Sequence, residues 1–344
     1  MESPFSRLLS ARLVEALARN GNYGVTIFFV ISGYLITSTS LRRFGSLKNV
    51  SPARFYAFRF ARIVPCMVLV LTIITTLGVA GWPHFRSKGP TSFFIADLSV
   101  LTFWHNVLMA KVGYFNYGLN ILWSLSVEEV FYFTFPLLCV IVRRPSWIIA
   151  IWIAAIVYGP IYRYRHADDE IRFLYGYFAC FDAIAMGCCM ALLARWRKTR
   201  ETENYLSGAA RNVLQFCAAF LIAWIYLRKA IGDSSVIGPS LVAIGAAIFV
   251  LAEGWWPPSP AASSRLRWEP VGWLGRHSYE LYLFHIVVLA LMRNLVDRGH
   301  LASEQKPLWF LVFLVLSTML AAAVARFYSE PLNQRLRLAL IPAK

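Results

Sequence analysis

Residues 62–80 read Arg62-Ile63-Val64-Pro65-Cys66-Met67-Val68-Leu69-Val70-Leu71-Thr72-Ile73-Ile74-Thr75-Thr76-Leu77-Gly78-Val79-Ala80, and after Arg62 no charged side chain interrupts the run. At 1.5 Å of rise per residue, a helix needs about 20 apolar residues to cross the roughly 30 Å hydrocarbon core of a bilayer. A continuous apolar run of this length predicts a membrane-crossing helix.

Working outward from this run, comparable spans fall at 24–40, 125–142, 147–162, 174–194, 212–228, 236–254, 278–296 and 308–327. A tenth run, 93–110, carries Asp97, His105 and Asn106 among its apolar residues. Of the 344 residues, 58% are apolar or aromatic and 15% charged, whereas a soluble domain has about a quarter charged. An ordinary soluble domain is excluded. The expected fold class is all-α, a polytopic membrane helix bundle of about nine spans plus one interfacial or re-entrant helix. It forms a single transmembrane domain over 1–344, with 1–22 a non-membrane N-terminal segment.

The charge excess of +16 reads as loops drawn to anionic membrane lipid rather than as a nucleic-acid surface. Cys66, Cys139, Cys180, Cys188, Cys189 and Cys217 all lie in apolar runs, without metal-ligand spacing, so neither a disulfide framework nor a metal site is expected.

Orientation follows from the basic residues. If 93–110 does not cross, the segments 41–62, 143–147, 195–211, 255–277 and 329–344 share one side and hold 19 Lys and Arg in 83 residues. The segments 1–22, 80–121, 163–173, 228–236 and 298–307 share the other, with 13 in 94. The denser side is cytoplasmic. This places the N-terminus outside and the C-terminus inside a bacterial cytoplasmic membrane. Residues 1–22 form neither a signal peptide nor a span.

Three segments carry residues suited to chemistry. Ser51-Pro52 is a helix-start signal, which sets Arg59 and Arg62 three apart on one face, suited to a bidentate grip on phosphate or to anchoring the helix at the cytoplasmic boundary. In Trp123-Ser124-Leu125-Ser126-Val127-Glu128-Glu129-Val130-Phe131-Tyr132, Ser124 and Glu128 face the same way. A carboxylate in a span is a functional candidate, although an interfacial or capping acid would show the same spacing. In Phe29-Val30-Ile31-Ser32-Gly33-Tyr34, the small Ser-Gly step permits close approach of a ligand or another helix. Asp182 sits within a span and needs an Arg partner, a wet cavity or a substrate. His105, His277 and His285 are singletons, each fitting helix packing as well as chemistry.

In order, these segments resemble the acyltransferase 3 family of polytopic membrane acyltransferases. The matching pieces are Gly24 through Ile36, Phe55-Tyr56 through Arg59, Arg62 and Pro65, Trp123 through Glu129 with Phe131-Tyr132, Phe181-Asp182-Ala183, Leu274-Gly275-Arg276 with Ser278-Tyr279 and Leu281-Tyr282-Leu283, and Glu330-Pro331. The resemblance implies transfer of an acyl group, typically acetyl from acetyl-CoA, to a hydroxyl of an envelope glycan or another carbohydrate or glycolipid acceptor. It implies no bound cofactor, with acyl-CoA as co-substrate. It assigns Arg59 and Arg62 to acyl-CoA and Ser124 and Glu128 to catalysis. Ser32, Gly33, Tyr34, Trp123, Ser126, Tyr132, Asp182 and His285 are expected to support the substrate or the site. Family members begin with another span bearing an Arg and a His, the His being the favoured general base. Met1 follows the place where that span would end, which fits either a start set too far downstream or loss of the histidine, and the chain starting at Met1 is expected to fold but to lack acyl transfer. Rival readings are a proton-coupled secondary transporter, with Glu128 and Asp182 as proton carriers, and a catalytically dead scaffold.

The orientation is testable by thiol labelling. With the native cysteines replaced, a cysteine at Ser46 should react only from the cytoplasmic side and one at Ser87 only from outside. Labelling of both from one side would contradict the assignment.

Overall fold

The computed structural model describes residues 20–199, 208–228, 236–255, 269–295 and 305–341. Every regular element among them is helical. In chain order these are α1 Gly21–Phe44, α2 Pro52–Val79, α3 Phe93–Leu101, α4 His105–Val112, α5 Trp123–Val142, α6 Pro145–Arg165, α7 Glu170–Tyr175, α8 Tyr177–Thr199, α9 Gly208–Arg228, α10 Gly238–Trp255, α11 Glu269–Arg276, α12 Ser278–Leu295, α13 Lys306–Val324 and α14 Glu330–Leu340.

Among the described residues, seven stretches are long and apolar enough to cross a membrane: Gly21–Phe44, Pro52–Val79, Asn120–Val142, Pro145–Arg165, Glu170–Trp196, Gly208–Leu227 and Pro307–Leu340. The span expected at 236–254 is the shorter apolar helix Gly238–Gly254. The one expected at 278–296 is α12, 18 residues long with Glu280 and Arg293 in its first and last turns. The N-terminal segment expected over 1–22 lies, up to residue 19, outside the described residues.

The run 93–110 folds as two helices. With nine and eight residues, α3 and α4 reach only about 14 and 12 Å, and neither can cross the hydrocarbon core. Between them the chain reverses through Phe103, a non-glycine residue at φ 65°. Its polar side chains are held internally. The Thr75 hydroxyl lies 2.8 and 3.0 Å from the two Asp97 carboxylate oxygens. Ser99 gives its proton to the Ala96 carbonyl at 2.6 Å and accepts from His105 Nδ1 at 2.8 Å, while the His105 backbone N–H donates to Ser126 Oγ at 3.2 Å.

The described residues pack as two compact units, one within 52–126 and 262–344 and the other within 8–51 and 127–261. In the first, α14 packs along α2. Pro65 interrupts the α2 hydrogen-bond ladder, and two tyrosines supply donors beside it, Tyr279 to the Ile63 carbonyl at 2.9 Å and Tyr328 to the Pro65 carbonyl at 3.3 Å. A π-helical turn, Ala325–Ser329, joins α13 to α14 and brings Ser329 within 2.5 Å of the buried Glu280 carboxylate.

In the second unit, α1 and α8 cross at two glycines. A Cβ on Gly33 would run into the Ile184 carbonyl, and one on Gly187 into the Val30 carbonyl. No larger residue fits at either point without parting the helices. The small-residue step read in the sequence therefore serves helix packing at Gly33.

Burial lowers the His105 pKa to about 4, below the ordinary value of about 6.5. The folded state therefore favours neutral His105. Its stability is complete above the unfolded pKa and falls as pH drops from about 6.5 towards about 4, by about 1.4 kcal/mol per pH unit. Thermal unfolding in detergent should show a steeper loss of Tm on acidification for the wild type than for His105→Asn. Equal slopes would contradict this burial.

Candidate functional site

Glu128 sits in the second turn of α5, where burial of a carboxylate demands hydrogen-bond donors. It is 5% exposed. One of its oxygens, Oε1, accepts from Ser32 Oγ at 2.5 Å and from Tyr132 OH at 2.8 Å, and the two hydroxyl oxygens are 2.6 Å apart. Tyr132 follows Glu128 by four residues and so lies on the same helix face. Ser32 arrives from α1, held there by the glycine crossing one residue later. The three oxygens form a closed ring with three contacts. While the carboxylate is ionised, two hydroxyl protons can fill only two of them.

Ser124, one turn before Glu128, is 1% exposed and belongs to the first unit. Tyr282 OH donates to the Ile121 carbonyl at 2.8 Å, which leaves its oxygen to accept from Ser124 Oγ at 2.5 Å. The serine proton is thus committed to Tyr282. Trp123 is buried beside it, and Ser126 holds the backbone of His105, as described above. Tyr34 points elsewhere in the second unit, its hydroxyl occupying the space where a Gly254 side chain would stand. Glu129, one residue past Glu128, is only partly buried.

Arg59 and Arg62 lie on α2 in the first unit and are partly buried. The Arg59 guanidinium is 5.9 Å from the Phe55 ring centroid. Arg62 donates through Nη2 to the Arg276 carbonyl at 3.4 Å, which ties α2 to the end of α11. At this end His277 Nε2 is 3.3 Å from Glu330 Oε1.

Asp182 has a structural partner. Its Oδ2 accepts from Arg163 Nη2 and from Ser240 Oγ, both at 2.7 Å, and its Oδ1 accepts from the Ala183 backbone N–H at 2.8 Å. Arg163 also donates to Ser240 Oγ at 2.5 Å, to the Val236 carbonyl at 3.0 Å and to the Ala179 carbonyl. Arg163 and Asp182 are each 1% exposed. The sequence reading placed Arg163 in an outside loop, whereas it lies in the last turn of α6. Its missed signal was the intramembrane Asp182, which required a cation within reach. His285 turns Nδ1 onto its own helix, 2.7 Å from the Tyr282 carbonyl and 3.2 Å from that of Leu281. Carbonyls only accept, so the proton is on Nδ1 and Nε2 keeps its lone pair.

The family described as an acyltransferase domain, the acyltransferase 3 family, matches residues 3–327. YrhL of Bacillus subtilis is 27% identical over 332 residues, covering 91% of this chain and 50% of its own length. The peptidoglycan O-acetyltransferase OatA of Listeria monocytogenes is 25% identical over 339 residues, covering 92% of this chain and 52% of its own length. The O-acetyltransferase OatA of Staphylococcus aureus is 24% identical over 327 residues, covering 92% and 53%. The chain spans about half the length of these relatives. No solved structure matches it significantly.

If Asp182 serves the fold alone, Asp182→Asn should lower stability by about 3–5 kcal/mol, because Arg163 then keeps an uncompensated buried charge. The activity of whatever protein remains folded should be unchanged. Loss of activity at full stability would move Asp182 into the reaction.

Proposed function

Because the chain belongs to the acyltransferase 3 family, we propose that it carries an acyl group, in the first instance acetyl, from acyl-CoA to a hydroxyl of an envelope glycan. The observation that carries this reading is the buried carboxylate of Glu128, held by the hydroxyls of Ser32 and Tyr132. The names of the relatives, peptidoglycan and other O-acetyltransferases, support a carbohydrate acceptor.

In the first unit, Arg59 and Arg62 bind phosphate groups of acyl-CoA; two guanidiniums three residues apart offer paired, charge-assisted donors to such oxygens. Acyl transfer then needs a base for the acceptor hydroxyl. As the acceptor oxygen bonds to the thioester carbonyl, or to a relayed acyl carbon, its proton passes into the ring through Glu128. The carbon–sulfur bond of the thioester breaks and the thiolate leaves as CoA, taking up the proton that the ring returns. Ser124 and Tyr282 brace the start of α5. The residues 1–344 serve as one domain in this activity, set in the bacterial cytoplasmic membrane with the loops around Arg42–Lys48 on the cytoplasmic side.

Acetate released from purified peptidoglycan by mild base measures the product in cells. Glu128→Gln at the native locus keeps the shape of the ring but removes its proton acceptor, and should lower this acetate by about 100-fold or more, the contribution of a positioned general base. Wild-type acetate from a well-expressed Glu128→Gln protein would refute the assignment.

A further inference from the structure

A third guanidinium joins Arg59 and Arg62 in the first unit, and the packing around it leaves its hydrogen bonding incomplete. Arg337, in the last turn of α14, stands with Cζ 5.5 Å from the ring centroid of Phe58, the residue before Arg59. It is within electrostatic reach of both Arg59 and Arg62. Its Nε is buried with no hydrogen-bond partner among the described residues, and so is Oδ1 of Asn333, one turn earlier on the same helix face.

Like charges gathered at the edge of a membrane repel one another, and a buried N–H without an acceptor adds a desolvation cost. The carboxylates that α12 and α14 bring to this end are Glu280 and Glu330. One Glu280 oxygen is held by Ser329, and Glu330 is 59% exposed beside His277. A multiply charged anion among the three guanidiniums would offset both costs at once. Phosphate is the match, since each group presents several acceptor oxygens to a planar fork of donors.

We propose that Arg337 completes, with Arg59 and Arg62, a three-guanidinium site for a ligand carrying two or more phosphates. This rests on the acyl-CoA reading and deepens it, because CoA carries a diphosphate and a separate 3′-phosphate. Cardiolipin, with two phosphates, offers the same chemistry from the bilayer. The phosphate oxygens supply the acceptor that Arg337 Nε lacks.

The full chain in phosphatidylcholine nanodiscs, titrated with CoA, tests the site. Arg337→Gln should weaken CoA binding by about tenfold or more, the effect expected for one charge-assisted contact, whereas Arg335→Gln, an exposed neighbour on the same helix, should change it by less than about twofold. Arg337→Lys keeps the charge and the long stem and so guards against misfolding. Eluting as the wild type does, it should still bind CoA several-fold more weakly, because an ammonium cannot form the fork. Unchanged CoA binding by Arg337→Gln, with binding lost in Arg59→Ala and Arg62→Ala, overturns the role of Arg337 and leaves the acyl-CoA reading standing. If the wild type binds no CoA, the acyl-CoA reading fails. Native mass spectrometry from cardiolipin-containing nanodiscs then decides the site: cardiolipin retained by the wild type and lost in Arg337→Gln upholds three guanidiniums with lipid as the source, and retention by both overturns it.

Discussion

Hydrocarbon offers no hydrogen bonds, and this governs how the buried polar clusters of this protein are built. A polar group within a span has to meet its partner inside the protein, on another helix or on its own. The two polar groups buried in the second unit satisfy the demand differently. Arg163, Asp182 and Ser240 exhaust their main donors and acceptors on one another and on nearby carbonyls. That closure ties α6, α8 and the start of α10 together and leaves little capacity for chemistry. The Glu128 ring joins three oxygens that share two hydroxyl protons when the carboxylate is ionised. The same constraint that makes the first group a staple leaves the second a carboxylate held by two hydroxyls.

Such groups form only if helices approach closely and in register. The crossing of α1 and α8 is set by Gly33 and Gly187, where each helix lays its backbone against the other. Ser32 is adjacent to that contact, so its hydroxyl is delivered to Glu128 with little freedom. In the first unit a proline and a π-helical turn do the equivalent work. Beside Pro65, Tyr279 donates to the Ile63 carbonyl and Tyr328 to the Pro65 carbonyl, and the turn before α14 sets Ser329 against Glu280.

The site residues read from the sequence separate into different tasks. Ser124 and Glu128 share a helix face, but Ser124 gives its proton to Tyr282 while Glu128 takes protons from Ser32 and Tyr132. Gly33 is a packing point, and Tyr34, one residue on, points to another part of the unit. Asp182 is neutralised within the fold.

By itself the sequence determined that this is an all-α membrane protein, and it located most of the long helices, because the length and apolarity of a span are local properties of consecutive residues. It also left 93–110 borderline through Asp97, His105 and Asn106, and the distribution of Lys and Arg among the loops marked it as an interfacial or re-entrant element. The tertiary structure alone decided which polar side chains meet. Ser32 and Glu128 are 96 positions apart, Arg163 and Ser240 are 77 apart, and no periodicity within one helix specifies the rotation of another. It likewise moved Arg163 from a presumed loop into the interior. The reason is physical: hydropathy is summed along the chain, whereas a hydrogen bond depends on where two helix faces come to rest.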